Sequence, residues 1–319
     1  MKWSKRWNHA ASWWRCVCVC MLCMLCMWMN VAWANDAKGG FVWKVTAQNQ
    51  TQSYLIGTLH VGAVNTPLPA KYQQALSQSR LLVVESQDED WEGVDGAAYK
   101  IALNTMMLSQ KSLGEHWGSD RIQKINQLLR QKNSPLAGVL SEQSPFAPWM
   151  AYMLLVTDYS MGAYTLENGV DVLLQKQAQL ALQPIVSLEQ LEAIAMFQRI
   201  PNDVLIRAVD AHLQNHEQEQ AQQLQLIEAY YQGNSEWVMN KVLNQKESTQ
   251  YLPEQDRVFW QRFLFDDLLQ KRNEAWIGKI ERHFKQQPTT VAVGAAHLFG
   301  EHGLIALLRA RGFQVEPVN

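Results

Sequence analysis

Beyond residue 26 the chain contains no cysteine. All five, Cys16, Cys18, Cys20, Cys23 and Cys26, sit in an apolar run near the amino terminus, so the rest of the chain can form no disulfide, thiolate-bound metal site or cysteine nucleophile. A Gly-x-Ser-x-Gly elbow is also missing, which removes the signature of one large class of serine hydrolases. No dense Lys/Arg stripe is present, so a nucleic-acid role lacks its electrostatic footprint. Long Gly/Ser/Pro linkers are missing as well, and a chain of this length without them favours one folded unit.

What is present begins with a leader. Lys2, Lys5, Arg6 and Arg15 make a positive segment without an acid, residues 16 to 29 are apolar, and the run ends near Ala32-Trp33-Ala34. That three-part order predicts a secretory signal peptide cleaved after Ala34 and a periplasmic or secreted product with no stable membrane insertion. An uncleaved membrane anchor is the alternative, although the run is short for a spanning helix. A lipoprotein fits less well, because neither Cys23 nor Cys26 follows a pair of small residues. Loss of four basic residues from the chain's 28 leaves 24 against 30 acidic ones, a formal charge of −6.

The most telling pattern occurs twice. Tyr54-Leu55-Ile56-Gly57-Thr58-Leu59-His60 and Val291-Ala292-Val293-Gly294-Ala295-Ala296-His297 each read as a short buried strand that ends near a glycine and delivers a histidine. Glycine permits the turn and a close approach of backbone to whatever the imidazole holds. A third run, Leu81-Leu82-Val83-Val84-Glu85, ends in a carboxylate. Open sheets bind ligands beyond the carboxyl ends of their strands. Two imidazoles and a carboxylate gathered there would form a site for a first-row divalent ion with coordination positions left open. Each strand-end histidine alone is equally readable as a structural residue.

Strand signals cluster at the two ends of the chain, at 41 to 46, 53 to 59, 80 to 85, 289 to 294 and 313 to 318, with a short piece at 184 to 187. Between them the periodicity is helical. Residues 146 to 158 are apolar nearly all round, 201 to 231 form a Gln- and Glu-rich stretch that reads as exposed helices, and 253 to 284 carry an amphipathic pattern. The expectation is an α/β (α+β) fold over 35 to 319: a mixed central sheet built from amino- and carboxyl-terminal strands, with a helical insert from about 110 to 285. The repeated motif also admits two pseudo-symmetric halves. His212 and His216 stand at helical i, i+4 spacing but lack the glutamate of a zincin motif; with His116, His283 and His302 they read as surface or packing residues, His302 with the least assurance because it shares the turn of His297.

The stretches YLIGTLHVG and VAVGAAHLFGEHGLIALLRARGFQVEPV resemble the two ends of the TraB/PrgY/GumN family, which includes the Tiki proteases. Glu167-Asn168-Gly169-Val170-Asp171, Leu188-Glu189 and Arg272-Asn273 before Trp276 are similar to its GVD, LE and RN elements, so the resemblance runs over about residues 41 to 318. It implies that His60, Glu85 and His297 hold a divalent ion, with Mn, Co, Zn or Fe all suited to such ligands. It also makes Arg272 a candidate to anchor a substrate carboxylate or to orient Glu85, and adds Asn273 to the catalytic set. Gly57, Thr58, Gly294 and Asp171 become candidates for substrate and backbone contacts. Two departures stand out: Ala296 replaces a common glycine, and Gln190 a usual threonine.

Such an ion would polarise a carbonyl and provide a nucleophile near neutral pH. Glu189 is then the leading general base, although an acid following Ser187 also reads as the first turn of a helix. The function implied is an exported metal-dependent hydrolase, a peptidase of the Tiki type acting on a peptide or protein substrate. The competing reading is a binding protein that sequesters a peptide or haem in the same pocket without turnover. A structural partner in an envelope assembly would instead show large exposed apolar patches.

Overall fold

The computed structural model describes residues 40–86, 96–158, 164–190 and 195–318. The leader and its cleavage position lie outside the described residues. A six-stranded mixed sheet, in the order β6-β4-β7-β2-β1-β8, is built as expected from both ends of the chain. Its strands are β1 (Val42–Thr46), β2 (Gln52–Thr58), β4 (Leu81–Val84), β6 (Ile185–Ser187), β7 (Thr289–Gly294) and β8 (Gln314–Pro317). Two shorter strands, β3 (Gly62–Ala63) and β5 (Tyr164–Thr165), pair with each other alone.

β6, β4, β7 and β2 run parallel to their neighbours, while β1 is antiparallel to both β2 and β8. Every residue of β4, and of β7 up to Val293, is buried. Alternate residues of a strand face opposite ways, so burial at consecutive positions means that both faces of the sheet are covered. The covering comes from the helix pair Ala70–Ser77 and Val170–Leu180 and from the pair Lys271–Gln286 and Leu304–Ala310.

A second core, made only of helices, gathers Leu113, Ile125, Trp149, Leu205, Trp260 and Phe263 from the interior of the chain. Helix Asn202–Tyr231 ties the two cores together. Val204, Leu205, Ala208 and Val209 near its start enter the helical core, and Ala229 and Tyr230 at its end enter the sheet core. The Gln-rich stretch is thus one helix of about 45 Å, mostly half-buried along its middle and buried at intervals toward both ends. Its buried positions recur at the i, i+4 interval, and the abundance of glutamine conceals them in the sequence. The segment from 253 to 284 is less regular than its periodicity suggests: a helical turn at Arg257–Gln261 runs through a wider, π-helical stretch, Arg262–Gln270, before the regular helix Lys271–Gln286. π-Helical turns are rare and recur at functional sites, and this one ends two residues before Arg272. Among the described residues no helix is long and apolar enough to cross a membrane.

Candidate functional site

Four parallel neighbours end on one edge of the sheet, and each is followed within three residues by a candidate side chain. Reading across β6, β4, β7 and β2, these are Glu189, Glu85, His297 and His60. Adjacent strands lie about 4.8 Å apart, so two histidines separated by 237 residues in sequence stand on neighbouring strands. The pairing of Thr58 with Gly294 sets the two Gly-x-x-His turns side by side. On the other side, the β4–β6 ladder continues past its strands through Leu188 N–H to Val84 O (2.9 Å) and Glu189 N–H to Glu85 O (3.1 Å), which brings the two carboxylates together.

Arg272 holds these carboxylates. Its Nη2 donates to Glu85 Oε2 at 2.6 Å and also to Glu189 Oε1, and its Nε lies 3.1 Å from both Glu189 oxygens. These bonds fix the direction of both carboxylates and use the fork geometry that only arginine has. The guanidinium also stacks over the Trp276 ring, 4.5 Å from its centroid, while Trp276 Nε1 donates to Glu189 Oε2 at 3.1 Å. The sequence reading left Trp276 outside the site, although its place one helical turn after Arg272 puts both on one face.

Each imidazole is fixed through its Nδ1. Asn273 donates its amide N–H groups to the carbonyls of His297 (3.1 Å) and His302 (2.8 Å), which turns its Oδ1 toward His297 Nδ1 at 2.8 Å. The His297 proton therefore lies on Nδ1, and the lone pair of Nε2 faces Arg272 Nη1 at 3.1 Å and Glu85 Oε1 at 3.9 Å. His302 thus contributes a backbone carbonyl rather than its ring. At His60 the partner is a carboxylate: Nδ1 lies 2.8 Å from Asp171 Oδ2. Asp171 occupies the first turn of helix Val170–Leu180, and Val170 N–H donates to Leu59 O at 2.8 Å, so the GVD element grips the first histidine turn. Gly57 and Thr58 contribute through the backbone; the Gly57 carbonyl accepts from Tyr230 Oη at 2.6 Å. Gly294 N–H donates to Glu85 Oε1 at 2.6 Å.

These partners set the charges. The Asp171 hydrogen bond outweighs the cost of crowding and, with Asp171 and Glu85 charge nearby, raises His60 to about 9. Burial lowers His297 to about 4; Glu85 opposes the shift, while Arg272 adds to it. Burial pushes Glu85 up, but His297 when protonated, Arg272, the Gly294 amide and His60 together bring it down to about 2. Because His297 is neutral above about 4, Arg272, the Gly294 amide and the charged His60 are what hold the Glu85 charge at neutral pH. Glu189 is displaced the other way, upward, because burial exceeds the relief from Arg272.

Among the described residues no three His, Cys, Asp or Glu side chains close into a group that encloses an ion. Arg272 lies against both Glu85 and His297. In donor type the residues suit a divalent ion: both histidines have Nδ1 engaged by an oxygen acceptor, the arrangement that supporting residues impose on metal-binding histidines, although His297 Nε2 is taken up by Arg272 Nη1. Among the described residues the remaining histidines do not join them. His212 pairs through Nδ1 with Glu219 at 2.6 Å and is buried, not at the surface, and His216 donates to Leu213 O, so the two form no metal pair.

The architecture and the strand-end cluster define an α/β protein whose site is shared between its two ends. The chain belongs to the TraB/PrgY/gumN family, whose model matches residues 41–317. It is 26% identical over 287 residues to the uncharacterized protein YbaP of Shigella flexneri, covering 88% of this chain and 98% of that one, and 25% identical over the same length and shares to the uncharacterized YbaP of Escherichia coli K12. No solved structure matches the chain significantly.

Proposed function

We propose that this chain is an exported, metal-dependent hydrolase acting on peptide bonds. The observation that carries the reading is the matched preparation of two imidazoles on adjacent strand ends, each tied through Nδ1, beside a carboxylate held ionised. His60, Glu85 and His297 are the residues that would hold the ion, which when bound supplies Lewis acidity at a carbonyl and a nucleophile near neutral pH. Asp171 and Asn273 orient the two rings. Glu189, whose carboxyl is shifted upward, serves in this reading as the proton acceptor and later donor. Arg272 neutralises the pair of carboxylates and can turn one N–H toward a substrate carbonyl or terminal carboxylate. Export is carried by the leader alone.

The competing reading, a pocket that sequesters a peptide or haem without turnover, draws support from one feature. Arg272 already occupies the space between Glu85, Glu189 and His297, so an ion entering there requires the guanidinium to withdraw. Metal content and peptide-library cleavage measured on the same variants separate the readings. His60→Ala and His297→Ala should lose both the ion and cleavage, whereas Glu189→Gln should keep the ion and lose cleavage. Unchanged metal content in both histidine variants would leave the sequestering pocket ahead.

A further inference from the structure

A cleft of about 280 Å³ lies beside the strand-end cluster and shares Glu189, Arg272 and Trp276 with it. Helix Lys271–Gln286 builds one wall. Lys271, Ala275 and Lys279 stand at successive i, i+4 positions and form one exposed stripe of that helix, with Arg272 and Trp276 beside it. The turn Phe197–Arg199 supplies Arg199 and, just before it, Met196.

The charged groups of this lining are not all answered. Lys271 is paired with Asp267, and Arg272 with Glu85 and Glu189. Lys279 Nζ donates to the Leu188 carbonyl, which carries no charge, and has two N–H groups left over. The Arg199 side chain makes no ion pair or hydrogen bond among the described residues. Both Arg199 and Lys279 are exposed, so a solute entering the cleft meets their charges directly. Arg272 is already committed: Nε and Nη2 serve carboxylates, and Nη1 meets Leu268 O at 3.3 Å and His297 Nε2 at 3.1 Å. Turning one of its N–H groups to a ligand gives up an existing bond, whereas Arg199 and Lys279 give up none.

We infer that this cleft is the subsite for a carboxylate of the bound peptide, from an acidic side chain or from the carboxyl terminus, with Arg199 and Lys279 as the cations that set the preference. The inference rests on the reading that the strand-end site takes a peptide, since a carboxylate is the anion that peptides carry. Met196 and Ala275 offer apolar surface to the aliphatic stem that bears it. The two cations need not share one pair of oxygens. Two charges of one sign in a cleft with low-dielectric walls attract an anion throughout it.

The test offers the purified protein, with Mn²⁺ present, two libraries of random N-acetylated peptides, one amidated at the carboxyl terminus and one free. The peptides retained and the peptides cut are sequenced by mass spectrometry. We expect Glu and Asp to be enriched over Gln and Asn by about two- to tenfold, the size that exposed charge pairs give, and the enrichment to fade at about 1 M salt. Arg199→Gln combined with Lys279→Gln should erase it. If loss of the Lys279 bond to Leu188 unfolds that variant, Arg199→Glu alone should at least halve it. Enrichment in the amidated library assigns the carboxylate to a side chain, and retention of the free library above the amidated one assigns it to the terminus; either upholds the subsite. A preference unchanged by these substitutions overturns it. Cutting with no preference for either kind of carboxylate overturns the subsite and spares the hydrolase reading, and a carboxylate preference among retained peptides without cutting does the reverse. Neither retention nor cutting of any peptide overturns both.

Discussion

The two Gly-x-x-His turns are alike in sequence and adjacent in space, and they hold their histidines in opposite states. The His60 side chain is 62% exposed, paired with a carboxylate and raised to about 9. The His297 side chain is 5% exposed, paired with an amide, faced by a guanidinium and lowered to about 4. The motif places an imidazole at a strand end. What charge that imidazole carries is decided by the residue on its Nδ1 and by the depth of its surroundings, both supplied from elsewhere in the chain. At neutral pH one turn therefore presents a cation, and the other a neutral ring whose Nε2 lone pair is turned to Arg272.

The largest effect should follow from removing the cation that defines the buried turn. Arg272→Ala leaves Glu85 and Glu189 facing each other without a counter-charge, and breaking a buried pair from one side typically costs about 3–5 kcal/mol. Urea unfolding should show this loss at pH 8 and a smaller one near pH 4.5, because protonating either carboxyl relieves the repulsion. An equal loss at both values would mean that Arg272 acts through packing on Trp276 alone.

Next, Asn273→Asp should turn the buried histidine into a copy of the exposed one. A carboxylate on Nδ1 should raise His297 by about 1–3 pH units, read from its ring proton shifts against pH. A value still near 4 would show that burial dominates whatever the partner. The converse change, Asp171→Asn, should bring His60 down from about 9 toward the ordinary histidine value near 6.5. The accompanying stability change should be small, because solvent reaches most of that ring and screens the pair.

The two turns should also pull stability in opposite directions with pH in metal-free protein. His60 binds its proton more tightly folded than unfolded, so its contribution is complete below about 6.5 and is lost as pH rises through about 9. His297 binds its proton more weakly folded, so its contribution is present above about 6.5 and is lost as pH falls toward about 4. Unfolding free energies of His60→Gln and His297→Gln measured across pH 4 to 10 should diverge from wild type at opposite ends of the range.

The smallest effect distinguishes the two glycines. A methyl group on Gly294 would stand 3.3 Å from Glu85 Oε1, an oxygen at the end of a side chain, whereas one on Gly57 would meet the Ala295 backbone Cα and Leu298 Cδ2 at 3.0 Å. Gly294→Ala should thus cost less than about 1 kcal/mol, and Gly57→Ala should cost more, because backbone yields less readily than a carboxylate. The reverse order in thermal unfolding would refute this account of the close approach.

Much of this was legible in the sequence because buried strands advertise themselves. Tyr54 to Thr58, Leu81 to Val84 and Val291 to Gly294 are short apolar runs ended by glycine or a charge, and all three become neighbours in the sheet. The candidate residues were legible for the same reason, since each follows such a run. The supporting contacts were not. Trp276 reads as an ordinary core residue, and its bond to Glu189 depends on how a helix crosses a strand end. Asn273 reveals its function only when two carbonyls fix its amide. The helix Asn202–Tyr231 was misjudged as exposed because glutamine at its middle dilutes an apolar stripe confined to its two ends.

The position of β7 has a further consequence, for biosynthesis. This strand lies between β4 and β2 yet follows β1, β2, β4 and β6 in the chain, so it leaves the ribosome after all of them. Until residues 289–294 emerge, β6 with β4 and β2 with β1 can form only separate ribbons, each with an open edge able to pair with another chain. A product truncated before β7 would lack His297 and would also expose the two edges that β7 normally joins, so it would be a candidate for aggregation or degradation rather than a partly functional protein.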